Sequence, residues 1–270
     1  MNWHRLFFTV MLAVFLFSTA AIAADAAASG GINVFEDQAF KDATADLTPD
    51  GRNLAAAELY IRIRQYDRAI PLLKQLTKNH NAAELWNLLA FSYNRVGSWK
   101  EAYDASNASI MLKPGIPFCY GERGIAAYQL GNFGEAEKDI AKYLKTKGAD
   151  GIAHYYHGLA LARMGRLTAA RGSFVLARLH KPLLAAFTDY NIALIDAGNG
   201  HVREALKPMK EIYAAFKDDN NQFSLGLEKD IARLQNAEVA LQHSRAVRDS
   251  VLDADARNAA SHFPKPAAKN

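Results

Sequence analysis

Cysteine is almost absent: Cys119 is the single thiol in 270 residues, so no intramolecular disulfide can staple the chain. A chain of this length can instead hold itself together through a buried core. The lone thiol falls among apolar helical positions and reads as a small packing group, not a nucleophile. Charge of one sign is also scarce. With 32 Lys and Arg against 28 Asp and Glu the net charge is +4, which gives no argument for nucleic acid, a partner that needs basic residues clustered on one face. There is no Gly-rich phosphate loop, no nucleophile elbow and no Ser/His/Asp constellation. Glu135 with Glu137 and Asp218 with Asp219 are carboxylate neighbours that read as solvated surface. His154 and His157 lie one helical turn apart, but no Cys, Asp or Glu joins them at ligand spacing, so they read as packed histidines. No enzyme, metal or cofactor is expected.

Long apolar runs are missing except at the start. Met1–Arg5 is short and weakly basic, Leu6–Phe17 is apolar apart from Thr9, and Ala21-Ile22-Ala23 supplies a small-residue cleavage pattern. Residues 1–23 therefore read as a signal peptide cleaved near Ala23, which places the protein outside the cytoplasm, in a bacterial periplasm. The rival reading is an uncleaved inner-membrane anchor, because Leu6–Ala24 is just long enough to span a bilayer. Membrane contact is expected only in that case. No cysteine follows the apolar block closely, which argues against a lipid-anchored form. The sequon Asn107-Ala108-Ser109 lies mid-helix and carries little weight.

What the chain has instead is a period. Gly97/Ala102, Gly131/Ala136 and Gly165/Ala170 recur every 34 residues, and Pro114, Gly148 and Pro182 close the same units. A helix–turn–helix unit of that length cannot bury its apolar face alone. In the unit from Trp86 to Pro114, the residues Trp86, Leu89, Ala90, Tyr93, Gly97, Trp99, Ala102 and Pro114 match the tetratricopeptide repeat pattern. The chain resembles that family, which implies an all-α, right-handed helical solenoid of about five helix–turn–helix repeats plus a C-terminal capping helix.

The units read at 50–82, 83–116, 117–150, 151–184 and 186–219, so the solenoid covers 50–219. Residues 24–49 form a flexible lead with room for a short helix, 220–256 a capping helix and 257–270 a disordered tail. Thr48-Pro49-Asp50 has the makings of a helix start. The first unit is one residue short and has Arg64-Gln65 where a turn glycine belongs, and the last carries the doubled turn Gly198-Asn199-Gly200. Pro71 and Pro208 should bend or weaken their helices. Two units depart from the pattern inside the core. Arg123 stands where leucine is usual, and His154 and His157 stand where Trp and Leu usually pack.

The resemblance implies that first helices line a concave groove. Reading their inward positions across units gives a row of arginines, Arg62, Arg95 and Arg163, interrupted by Gln129, beside Asn87, Asn94, Phe91, Tyr128, Tyr155 and Tyr190. Guanidinium groups next to aromatics suit an extended peptide, an acidic one or one with a free C-terminal carboxylate. The plainer alternative is that the arginines solvate helix ends and meet the C-terminal dipole. The expected function is that of a non-enzymatic exported adaptor or scaffold for a protein or peptide partner, in envelope assembly or secretion. A self-associating structural repeat protein, or a binder of a small ligand or cell-wall fragment, are the alternatives.

Overall fold

A computed structural model describes residues 33–219 and 222–261, with side chains for 33–218 and 223–246. The signal segment at 1–23, the stretch after it and residues 262–270 lie outside these. Among the described residues there is no strand. A six-residue helix, α1 (Gln38–Ala43), comes first, followed by ten helices in pairs: α2 (Pro49–Arg62) with α3 (Tyr66–Asn79), α4 (Ala83–Arg95) with α5 (Trp99–Leu112), α6 (Pro117–Gln129) with α7 (Phe133–Leu144), α8 (Gly151–Arg163) with α9 (Leu167–His180), and α10 (Ala185–Gly198) with α11 (Val202–Phe216). A long helix, α12 (Gln222–Ser261), ends the described chain. The first helices begin at 49, 83, 117, 151 and 185, a strict 34-residue step. The all-α helix–turn–helix architecture expected from the period is the one observed. Chain contacts group into two compact units that divide between Leu176 and Ala177, inside α9.

Local chemistry sets the helix starts and turns. Thr48 caps α2 by accepting from the Gly51 N–H at 3.2 Å, and Pro49 occupies the first helical position. Asp37 caps α1 in the same way, accepting from Phe40 N–H at 2.8 Å. Pro71 and Pro208 interrupt neither α3 nor α11, because each forfeits a single backbone donor near the helix start. α12 runs five residues past the limit of 256 expected for it, since Ala254, Ala259 and Ala260 favour helix and the first breaker is Pro264.

Between paired helices the chain reverses through a left-handed residue. Gly97, Gly131, Gly165 and Gly200 take φ of 78°, 85°, 75° and 90°. In the first pair that place is filled by Arg64, with φ 63°, the one non-glycine with positive φ among the described residues. Arginine there brings its Cβ against the following carbonyl, at a cost of about 1 kcal/mol or more.

In unit 1 the helices from α2 to α8 each pack on the next, and the first helix α6 also packs on α4 and on α8. Close approach within each pair needs small residues. A Cβ added at Gly158 would stand 2.8 Å from the Phe174 ring, and one at Gly124 would stand 2.5 Å from Ile140 Cγ1. Phe174 and Ile140 are themselves fully buried. Val34 and Phe40 close the start of the core against Leu54, Leu59 and Tyr60, and the Val34 N–H donates to the Tyr60 hydroxyl. Cys119 is buried, with its sulfur 2.7 Å from Ser109 Oγ, and burial pushes the thiol up from its ordinary range. In unit 2, α12 packs along α11 and buries Leu227 and Ile231 against Ala193, Leu206 and Met209.

The polar departures from the repeat pattern inside the core, Arg123, His154 and His157, each have a hydrogen-bond partner. Arg123 donates twice to Asp139, Nε to Oδ2 at 2.6 Å and Nη2 to Oδ1 at 2.9 Å, and its Nη1 donates to Asn107 Oδ1 at 2.7 Å. The side chains are 18% and 8% exposed, so this is a largely buried fork-to-fork ion pair tying α5, α6 and α7. His154 Nε2 meets the Gly148 carbonyl at 2.7 Å, and His157 Nδ1 meets Ser173 Oγ at 3.0 Å. Among the described residues no cluster of three or more His, Cys, Asp or Glu could hold a metal ion.

Two outcomes follow for urea unfolding. Arg64→Gly is expected to raise stability by about 0.5–1 kcal/mol, by relieving the left-handed strain less the added chain entropy of glycine. Asp139→Ala is expected to cost about 3 kcal/mol, because it takes from a largely buried guanidinium the carboxylate it bonds and leaves only Glu135 at 3.9 Å.

Candidate functional site

The residues expected to line the groove divide between the two units. In unit 1, the row Arg62, Arg95 and Arg163 occurs at the last turns of α2, α4 and α8, and all three side chains are exposed. Gln129, exposed at the end of α6, holds the intervening place. Two of the arginines rest on aromatic rings. The Arg95 guanidinium lies 4.5 Å from the Phe91 centroid, one turn earlier on the same helix. The Arg163 guanidinium lies 4.4 Å from the Phe133 centroid, on the preceding pair. A ring under a guanidinium takes its face and leaves the N–H edge able to pair with an acid, at about 0.5–1 kcal/mol for an exposed pair.

The aromatics beneath form a connected layer. Phe91 meets Tyr66 edge-on at 6.0 Å, and Tyr128 meets Phe133 at 5.6 Å and Tyr156 at 5.7 Å. Tyr155 leans on Tyr156 and Phe174, each at 5.9 Å. The Tyr128 hydroxyl is raised above its ordinary value by burial, and Arg163, which hydrogen-bonds it, pulls the other way. Asn87 is half-buried, and its Oδ1 accepts no hydrogen bond among the described residues.

Two expected groove residues are engaged elsewhere. Asn94 is buried; its amide donates to the Glu122 carbonyl at 2.9 Å and to Glu122 Oε2 at 2.7 Å. It ties α4 to α6 and does not face a partner, because the direct packing of first helices covers that position. Tyr190 belongs to unit 2, where its hydroxyl donates to Asp230 of α12 and its ring meets Phe223 at 5.6 Å. The helix that follows the repeats therefore occupies it.

Two carboxyls absent from the expected groove lie under the arginines. Glu58, one turn before Arg62, has its pKa raised to about 7 by burial, with the Arg62 charge opposing. Glu122 is raised by burial too, with Asn94 and then Arg95 opposing. Glu58 is legible in the sequence as a member of an inward ladder. Glu122 carries no periodic signal, being placed by the α4–α6 contact alone. Phe133, the seat of Arg163, reads from its spacing only as a filler between helices.

The tetratricopeptide repeat family model matches residues 54–110 and 122–180. These two stretches are tetratricopeptide repeats. Solved structures agree on the fold. The tetratricopeptide stack is similar to MamA 41-end from Desulfovibrio magneticus RS-1, with a TM-score of 0.54 and 13% identity over 64% of this chain and 97% of that one. It is similar also to MamA MSR-1 C2, with a TM-score of 0.53 and 19% identity over 63% of this chain and 98% of that one. At such identities the likeness speaks for the fold alone. No curated protein sequence matches the chain. The tetratricopeptide architecture supports a protein-interaction scaffold or adaptor, a family role that is typically non-enzymatic.

A pH dependence is built into this face. The unfolded Glu58 carboxyl titrates near 4.5 and the folded one near 7, so its stabilising contribution is full below pH 4.5 and is lost as pH rises through 7. Glu58→Gln removes that loss. The difference in urea midpoint between the Glu58→Gln variant and the parent protein should grow in the variant's favour from pH 4.5 to pH 8.

Proposed function

We propose that this protein is an exported adaptor that holds a protein or peptide partner on the first-helix face of unit 1. The carrying observation is the pair of exposed, ring-seated arginines, Arg95 and Arg163, two repeats apart, with half-buried Tyr128 between them in sequence. A guanidinium already held by a ring loses less rotamer freedom on binding, which favours pairing with acid groups. The partner surface is accordingly acidic, or ends in a free carboxylate that a guanidinium fork can grip. Phe91, Tyr128 and Tyr155 supply anchoring area, with Asn87, Gln129 and Arg62 as polar contacts at the margin. Export rests on the apolar block and small-residue exit of residues 1–23. Among the described residues no helix is long and apolar enough to cross a membrane. A place in envelope assembly or secretion fits an exported scaffold.

Arg95→Glu combined with Arg163→Glu is expected to reduce partner capture from cell-envelope extracts at least about tenfold, as loss of charge-assisted pairs implies. Helical circular dichroism should stay unchanged. Undiminished capture by that folded double variant removes the groove. The mass of the mature N-terminus tests export separately, since cleavage after Ala23 leaves Ala24 first.

A further inference from the structure

Unit 1 also holds a pocket that none of the arginines of the row lines. A pocket of about 390 Å³ opens between the second helices α3 and α5, with α4 contributing Trp86, Leu89 and Tyr93. Ala105 and Ala108 on α5 keep the space open, Glu101 and Asp104 stand on the α5 side, and Lys74 and Lys78 stand on the α3 side. Burial raises the Tyr93 hydroxyl first, and the Glu101 charge adds to it, so that carboxylate lies close to the phenol. The Trp86 indole N–H is buried and finds no acceptor among the described residues.

What such a space holds can be read 34 residues further along. Leu89, Ala105, Glu101 and Trp86 correspond to Arg123, Asp139, Glu135 and Tyr120 in the next unit. There the equivalent space is occupied by the chain itself. The Arg123 guanidinium binds Asp139, lies 3.9 Å from Glu135 Oε1 and lies 5.6 Å from the Tyr120 centroid. In the unit after that, His157 and Ser173 stand at the same two places and bond to each other. Of these three units, only the one with Trp86 has both places small or apolar, Leu89 and Ala105, with an aromatic and a carboxylate retained around them.

We propose that this pocket receives an arginine side chain from a protein partner, inserted between α3 and α5 as Arg123 is inserted in the following unit. Its guanidinium pairs with Glu101 and Asp104 and its stem lies along Trp86 and Leu89. The exposed lysines of α3 favour an acidic residue beside that arginine. The site is separate from the first-helix face, which takes acids.

The test uses the full-length protein and the peptide Ac-Ala-Arg-Glu-NH2, with the indole N–H resonance of Trp86 followed by NMR. Expected is a saturable shift with a dissociation constant of about a millimolar, as a single anchored side chain gives. The citrulline peptide, neutral and of the same shape, should bind about tenfold or more weakly. Glu101→Gln should weaken the arginine peptide by about fivefold to tenfold, and Ala105→Leu, which fills the pocket, should abolish the shift. Arg95→Glu with Arg163→Glu should leave it unaltered, which separates this site from the groove. Equal binding of the citrulline peptide, an unchanged affinity in Glu101→Gln, or no saturable shift at all would each overturn the proposal. Glu101 is exposed, so its substitution leaves the fold intact and tests the site even if the Ala105 variant fails to fold.

Discussion

Everything in unit 1 depends on first helices approaching their neighbours more closely than side chains normally allow. Gly158 lets the Phe174 ring lie where a methyl group would stand, and Gly124 does the same for Ile140. Those contacts seat α8 on α9 and α6 on α7, while α6 packs directly on α4 and on α8, and that first-helix contact determines what the first-helix face presents. It lines up the last turns carrying Arg95 and Arg163, and it also buries Asn94 against Glu122. The proposed binding surface and the core are thus cut from the same helices, separated by a residue or two of register. A change in one is felt in the other.

Much of this is legible in the sequence because a repeat states its packing several times. Glycines at 97, 131 and 165 announce left-handed turns, and the small residues at 124 and 158 announce close helix contacts. What escapes is fixed by contacts between units, which no single-helix pattern records. Asn94 sits on an inward ladder by its spacing, yet α6 covers it. Glu122 comes under Arg95 through the same contact. The Arg123–Asp139 pair is half visible, as an arginine at a leucine position; its acid, sixteen residues on at a usually small position, is the half that spacing does not reveal.

Two different electrostatic characters share one small stack. The first-helix side offers exposed guanidinium groups over rings, with carboxyls beneath that burial keeps protonated to higher pH. The pocket beside α3 and α5 offers two carboxylates and two lysines around aromatics.

Near-identical modules carry a hazard in folding: a helix can dock on the wrong copy of its mate. Arg123 guards against that. If α6 met α9 in place of α7, its guanidinium would come against Ser173, with Ala169 where Glu135 should stand, and neither offers a carboxylate. Such a misassembled chain would bury a naked charge, a penalty of about 3–5 kcal/mol that the correct order avoids. The arginine that breaks the consensus thereby numbers the modules.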